Sequence, residues 1–199
     1  MRLFVGLDLP QDVRQHLAAT RTGMNGARWV ALENFHITLR FIGEVDRHQA
    51  ADLDAALDDI LAPAFDLTLR GVGKFATRGR LRAVWAGVEP SAALAHLHDK
   101  VERACVIAGF QSEQRKFKPH VTLARFKGSP EQVAGGFLED HAGFVSRDVA
   151  VARFTLFEST LGHEGAHYTA LRTYGFGGQD YDFDGLAEEF ADQASAQSA

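Results

Sequence analysis

The sequence predicts an α+β fold: two pseudo-symmetric lobes, each an antiparallel sheet with helices, flanking a central cleft. Three observations carry this. Strand-like and helix-like segments are interspersed, and several strand pairs are joined by short loops, which favours antiparallel sheets with helices on one side. The second half of the chain repeats the rhythm of the first. A four-residue motif, His-x-Thr-Leu, occurs once in each half, as His36-Ile37-Thr38-Leu39 and as His120-Val121-Thr122-Leu123.

Residues 3–9 are almost wholly apolar and read as a buried strand. Pro10, suited to a first helical turn, opens a helix through about Arg21. A turn bearing Gly23, Asn25 and Gly26 leads into a short strand, Arg28-Trp29-Val30. Residues 35–42 alternate as a strand does and stop at Gly43. Residues 46–61 show apolar spacing near 3.6, so a helix is expected, ended by Pro63. Residues 65–72 and 81–88 read as strands around a Gly/Arg-rich loop over 71–79. In the second half a helix is expected over 91–108, with Ser91 as N-cap and Gly109 as stop. A strand follows over 120–126, then a short helix over 130–138. Strands over 149–158 and 167–174 are joined by a loop bearing Gly162 and Gly165. These elements make one bilobal domain over residues 1–178 and an acidic, mobile tail over 179–199, poor in large apolar residues.

Bulk numbers narrow the classes. The chain has 199 residues, 46% hydrophobic and 24% charged, as in ordinary globular proteins. No apolar run is long enough to span a bilayer, and the N-terminus turns acidic too soon for a signal peptide, so no membrane partner is expected. Cys105 is the only cysteine; it excludes a disulfide framework and makes a reducing cytoplasm the expected location. The net charge of −5 is adverse to a nucleic-acid partner, but residues 179–199 hold six acids and no Lys or Arg. Subtracting those six from the 26 acids leaves 20 against 21 bases. The bases are also grouped: Lys74, Arg78, Arg80 and Arg82 in one segment, Arg115, Lys116, Lys118, Arg125 and Lys127 in another. Such a patch can hold a few phosphates without coating nucleic acid.

The repeated motif carries the chemistry. Side chains alternate faces along a strand, so His36 shares a face with Thr38, and His120 with Thr122, while Ile37, Leu39, Val121 and Leu123 point the other way. Lobes that face each other bring the two pairs together in a groove. Two imidazoles titrating near neutrality supply a base and an acid, and two hydroxyls with a cation hold phosphate oxygens, which suits phosphoryl chemistry without a metal or other cofactor. Arg125 is the candidate cation. By strict alternation it is out of phase with His120, but Arg40-Phe41-Ile42-Gly43 aligns with Arg125-Phe126-Lys127-Gly128 if Ala124 is one inserted residue. A β-bulge near Ala124 would turn Arg125 into the groove.

The other candidates are weaker. His96 and His98 point in different directions on a helix and read as solvated; His16, His48 and His141 read as peripheral; His163 and His167 flank a loop and receive no role. Thr is a poor zinc ligand, so the motif spacing gives no metal site. Gly71-x-Gly73 is too short for a phosphate loop, and Ser112 and Ser159 lack a nucleophile-elbow context. Trp29, Trp85, Phe41, Phe75 and Phe157 read mostly as core, with one free to stack on a base.

Taken together these residues resemble the 2H phosphoesterases, and within them the bacterial and archaeal RNA 2′,3′-cyclic phosphodiesterases, also called 2′-5′ RNA ligases. The likeness runs to about Phe176. It rests on Arg2-Leu3-Phe4-Val5-Gly6-Leu7, Arg28-Trp29-Val30, Glu33-Asn34-Phe35-His36-Ile37-Thr38-Leu39-Arg40-Phe41-Ile42-Gly43-Glu44, Val84-Trp85-Ala86-Gly87-Val88, Phe117-Lys118-Pro119-His120-Val121-Thr122-Leu123-Ala124-Arg125, Ser159-x-Leu161 and Tyr168-x-x-Leu171. Leu32 departs from it, since relatives often have proline there. The resemblance implies a bilobal α+β fold and hydrolysis of a terminal 2′,3′-cyclic phosphate on RNA to a 2′-phosphate. It implies His36 as acid for the 3′ oxygen, His120 as base for water, and Thr38, Thr122 and Arg125 as phosphate ligands, with 2′-5′ ligation as the reverse chemistry. The partner expected is an RNA 3′ end bearing a 2′,3′-cyclic phosphate, and the chain is expected to act as a monomer. Two other readings stay open: a phosphodiesterase for a small cyclic nucleotide (ADP-ribose 1″,2″-cyclic phosphate or 2′-5′ oligoadenylate), and a module that binds RNA ends without turnover.

Overall fold

The computed structural model describes residues 1–162 and 165–177. The expected acidic tail and His163 lie outside the described residues. In chain order the elements are β1 (Arg2–Asp8), α1 (Gln11–Ala18), β2 (Arg28–Trp29), β3 (His36–Glu44), α2 (Arg47–Asp58), β4 (Phe65–Thr77), β5 (Arg80–Val88), α3 (Ala92–Ile107), β6 (His120–Arg125), α4 (Gly135–Asp140), β7 (Val145–Val151), β8 (Arg153–Gly162) and β9 (Gly165–Gly175). Single 3-10 turns precede β3 and α4.

Local chemistry accounts for the helix boundaries. Asp46 caps α2 through a reciprocal box: its carboxylate accepts from the Gln49 backbone N–H (2.9 Å), and the Gln49 side chain accepts from the Asp46 N–H (3.0 Å). Ser91 caps α3 by accepting from the Leu94 N–H, and Gly109 leaves that helix at φ +89°.

The strands run in the order β7-β4-β5-β6-β3-β1-β8-β9, with β2 attached to β6, and the pairings are antiparallel. The order splits in the middle. One half, β7-β4-β5-β6, comes from the central part of the chain; the other, β3-β1-β8-β9, comes from its two ends. β3 and β6 meet through one residue pair, Ile37 with Val121. Two lobes are therefore present, but they do not coincide with the two halves of the sequence. The expected strand over 149–158 is in fact two strands that break at Ala152 and go to opposite lobes, which is what sends the chain back to its starting lobe. The helices bind the lobes across the seam. α1 reaches β7 through Asp12 and Arg147 (2.5 Å), and α3 reaches β3 through Glu102 and Arg40 (2.7 Å).

A shared core underlies both lobes. Leu3, Val5, Leu7, Ile37 and Leu39 from one sheet half, and Leu69, Leu81, Val84, Ala86, Val121 and Leu123 from the other, are buried beneath α2 and α3, which contribute Leu53, Leu57, Leu94, Leu97 and Val101. Each of these apart from Ala86 adds about 1.5–3 kcal/mol.

The expected loop over 71–79 is mostly strand. β4 continues to Thr77 and turns on Arg78 (φ 51°) and Gly79 (φ 70°), two successive left-handed residues of the kind a two-residue hairpin requires. One of the glycines that suggested a loop, Gly73, does packing work instead. Gly73 lies opposite Trp85, and a Cβ there would sit 2.2 Å from the indole ring. Gly73→Ala is expected to cost about 1–3 kcal/mol through overpacking, read by urea unfolding, with a shift in tryptophan emission as Trp85 moves. Gly135→Ala, where a Cβ meets open space, is the control that loses nothing. Equal stability of both variants would show that the indole does not rest on Gly73.

Candidate active site at the seam between lobes

The Ile37–Val121 pair fixes the site. Both side chains are fully buried, so the residues flanking them project to the opposite face. In antiparallel register Thr122 then stands across from His36, and His120 across from Thr38. The two histidines lie on a diagonal, for which a regular pair gives a separation of about 7–8 Å. The two lobes diverge on either side of this crossing, which opens the space between the pairs.

Each imidazole is held by its own strand. Nδ1 of His36 lies 2.8 Å from the carbonyl oxygen of Asn34, and Nδ1 of His120 lies 2.7 Å from that of Lys118. A carbonyl only accepts, so Nδ1 carries the proton in both rings and Nε2 is the free nitrogen of the neutral form. On His36 that nitrogen is 3.1 Å from the Thr38 hydroxyl. Asn34 is itself tied down, its side-chain amide donating to the carbonyl of Ala166 at the start of β9 (2.7 Å).

The rings sit in aromatic walls of different character. His36 packs on Phe4 (centroids 4.8 Å apart) and meets Tyr168 edge-on (5.0 Å), with Phe157 behind. His120 meets Phe75 edge-on (4.8 Å) and lies near Trp85, over which Lys118 places its ammonium at 4.4 Å. Gly6 pairs with Thr38, and a Cβ on it would come within 3.0 Å of the Ile37 carbonyl and 3.6 Å of the His36 ring; the bare glycine lets β1 pass close beneath the histidine. Asp8, opposite His36 on β1, accepts from Arg14 and Thr155 at 3.2 Å each.

A bulge does occur in β6, one residue earlier than expected. Ala124 pairs with Val84 and Thr122 with Trp85, so Leu123 is the extra residue, and Leu123 and Ala124 both face the core. Alternation restarts there and returns Arg125 to the face of His120 and Thr122. The same bulge occurs in β3, where Val5 pairs with Arg40 and Gly6 with Thr38, making Leu39 the extra residue. Aligning Arg40 with Arg125 across an inserted Ala124 is therefore incorrect. The counterpart of Arg40 is Ala124, and the counterpart of Arg125 is Phe41. Arg40 turns inward to Glu102 and Glu113, away from the groove.

Burial and charge act on the two imidazoles in the same direction. Desolvation pulls His36 down to about 4, and the Arg125, His120 and Arg14 charges add to it, against the Asn34 hydrogen bond. His120 is lowered too, first by desolvation, then by Arg125 and Lys118, against its own backbone bond. Arg125 thus bears on both rings.

The remaining candidates are placed elsewhere. His98 is not simply solvated: its ring stacks on Phe117 at 3.9 Å. His96, His48 and His167 are exposed, His16 rests on Phe144, and His141 bonds the Thr20 carbonyl. Trp29 is core, whereas Phe75, Trp85 and Phe157 surround the histidines. Several grouped bases are engaged, Lys74 with Glu131 and Arg115 with Glu113. Sequence reasoning missed Phe4, Tyr168, Asn34 and Lys118 as the frame of the two rings. Among the described residues no three His, Cys, Asp or Glu side chains cluster as a metal site, and no helix is long and apolar enough to cross a membrane.

Residues 9–162 match the model of the 2′-5′ RNA ligase superfamily. The chain belongs to this family. It is 43% identical over 141 residues to the RNA 2′,3′-cyclic phosphodiesterase of Aeropyrum pernix, covering 70% of this chain and 80% of that one. It is 33% identical over 178 residues to the enzyme of the same name from Thermotoga maritima, covering 86% and 93%. Among solved structures, Escherichia coli LigT complexed with 3′-AMP superposes with a TM-score of 0.76 at 30% identity, covering 88% of this chain and 98% of that one. TT0787 of Thermus thermophilus superposes at 0.71, with 26% identity, covering 90% and 100%.

The low His36 value has a consequence for this member of the superfamily. An unfolded chain protonates that ring near pH 6.5, the folded chain near 4. Between those values the unfolded state binds more protons, so stability is kept above pH 6.5 and falls as the pH drops through the window. Urea unfolding at pH 7 and pH 5 is expected to show a smaller pH loss for His36→Asn than for the unaltered chain. An identical loss would place the His36 ring in water.

Proposed function

We propose that this chain hydrolyses the 2′,3′-cyclic phosphate at an RNA 3′ end to a 2′-phosphate, with His36 and His120 as the acid–base pair. The observation that carries the reading is the diagonal of two Nδ1-anchored imidazoles across the Ile37–Val121 pair, each with a free Nε2 and a threonine on its own strand. A phosphorus between them has one ring on the side of entry and one on the side of departure, the layout of an in-line displacement. His120 takes a proton from water as its oxygen bonds to phosphorus; the bond from phosphorus to the 3′ oxygen breaks, and His36 gives that oxygen a proton. Thr38, Thr122 and Arg125 hold the non-bridging oxygens, where charge grows. The family names of its relatives support the substrate class. With a 5′-hydroxyl in place of water the same displacement, the 3′ oxygen again leaving, forms a 2′-5′ linkage.

In the free protein His36 is the harder ring to protonate. The acid role therefore requires the bound phosphate anion to raise its pKa, so that substrate and proton arrive together. Action as a monomer in a reducing cytoplasm belongs to the same proposal.

The test is turnover, in EDTA, of a short RNA ending in a 2′,3′-cyclic phosphate. Conversion to a 2′-phosphate is expected, with losses of roughly 10²–10⁴-fold in His36→Ala and His120→Ala and about 10²-fold or more in Arg125→Gln. A substrate with sulfur at the 3′ bridging position leaves without a proton, and is expected to rescue His36→Ala but not His120→Ala. Rescue of the opposite variant would exchange the two roles. Folded protein that turns over small cyclic nucleotides but no RNA, or none of them, would move the reading to the corresponding alternative.

A further inference from the structure

We propose that Arg28, on the short strand β2, forms with Arg125 a second phosphate site that reads the internucleotide phosphate next to the reacting one; the inference rests on the hydrolase reading above. β2 pairs with β6 so that Arg28 stands directly opposite Arg125 and Trp29 opposite Ala124. Residues directly opposite in an antiparallel pair share a face. Trp29 and Ala124 are on the core side, so Arg28 and Arg125 are together on the groove side. Going along that face from the seam, β6 presents His120, then Thr122, then Arg125 after the Leu123 bulge, with Arg28 beside it.

Two like charges directly opposite each other are unfavourable in a sheet. Several other arginines of the chain stand beside a carboxylate instead. Arg14 faces Asp8, Arg40 faces Glu102, Arg115 faces Glu113 and Arg147 faces Asp12. Among the described residues no carboxylate lies within ion-pairing distance of Arg28 or Arg125. The pair is thus an exposed double cation on the floor of the groove, and an anion relieves its repulsion.

Distance identifies the anion. Thr122 and Arg125 are three residues apart across a bulge, about 7–10 Å along the strand, on the order of one nucleotide. Arg125 lies on the groove face next to Thr122, and its charge acts on both histidines, which sets it on the side of the reacting phosphate. Arg28, on the strand that continues the β3 edge of β6 beyond the seam, is left for the phosphate that joins the terminal nucleotide to the one before it. A mononucleoside cyclic phosphate lacks that group, so Arg28 is a residue by which an RNA end is preferred to a small cyclic nucleotide.

The experiment compares kcat/KM for a mononucleoside 2′,3′-cyclic phosphate with that for a dinucleotide ending in the same group, in the unaltered chain, Arg28→Gln and Arg28→Lys. The preference for the dinucleotide is expected to fall about tenfold in Arg28→Gln and to be largely kept in Arg28→Lys. One lost phosphate contact also lowers the slope of log affinity against log salt by about 0.7 for a single strand. That slope is measured by equilibrium binding of a dinucleotide 2′-phosphate, which needs no turnover. Absence of turnover with either substrate would overturn the hydrolase reading alone, and the binding slopes would still decide the Arg28 site. An unchanged substrate preference together with an unchanged slope in Arg28→Gln would overturn the second phosphate site.

Discussion

One residue pair organises this molecule. Ile37 and Val121 are the middle residues of the two His-x-Thr-Leu motifs, and they alone join β3 to β6. Their side chains are committed to the core, which commits His36, Thr38, His120 and Thr122 to the other face. A slip of one residue in either strand would bury an imidazole and expose an isoleucine or a valine, so the same hydrophobic burial that stabilises the seam also sets the register of the site. A longer β3–β6 ladder would close the sheet over the space between the lobes. The single pair keeps them joined and still diverging, with α1 and α3 reaching across on the core side through Asp12–Arg147 and Glu102–Arg40.

The chemistry of the site follows from what that burial does to the rings. Aromatic walls of Phe4 and Tyr168 on one side, and Phe75 and Trp85 on the other, remove water and favour neutral imidazole. The backbone carbonyls of Asn34 and Lys118 oppose this a little and, more usefully, fix the tautomer and direct Nε2 into the groove. Arg125 adds positive charge beside the two rings, and the one carboxylate opposite His36, Asp8, is already held by Arg14 and Thr155. Such a site is poised for an anion, whose arrival relieves the crowded cations and raises the proton affinity of the rings. The two bulges at Leu39 and Leu123 give the lobes equivalent geometry with different results: Phe41 at one end, Arg125 at the other. A pseudo-symmetric frame thereby acquires a polarity that a directional substrate such as RNA can follow.

Much of this was legible in the residues. Period-two alternation placed both motifs on strands, apolar spacing near 3.6 ended by Pro63 placed α2, the Ser91 cap and Gly109 stop placed α3, and the duplicated motif pointed to a groove with two imidazoles and two hydroxyls. What was not legible depended on long-range register. Glycines 71, 73 and 79 read as a loop, because no local signal shows that an indole will lie on Gly73. The break at Ala152 carries no glycine or proline, so β7 and β8 read as one strand. The bulge was inferred from an inserted residue, whereas both strands bulge at the motif leucine and no insertion exists. The carbonyls that orient the histidines are invisible in any sequence, since every residue type has one.

The central claim is that both imidazoles address one phosphate. It is tested by ¹⁵N-resolved imidazole spectra during titration with a nucleoside 2′-monophosphate. The expected result is that the Nε2 signals of His36 and His120 move together, with one dissociation constant and one ligand per chain, while both Nδ1 protons stay in place. Two independent dissociation constants, or movement of only one ring, would contradict a shared site at the Ile37–Val121 seam.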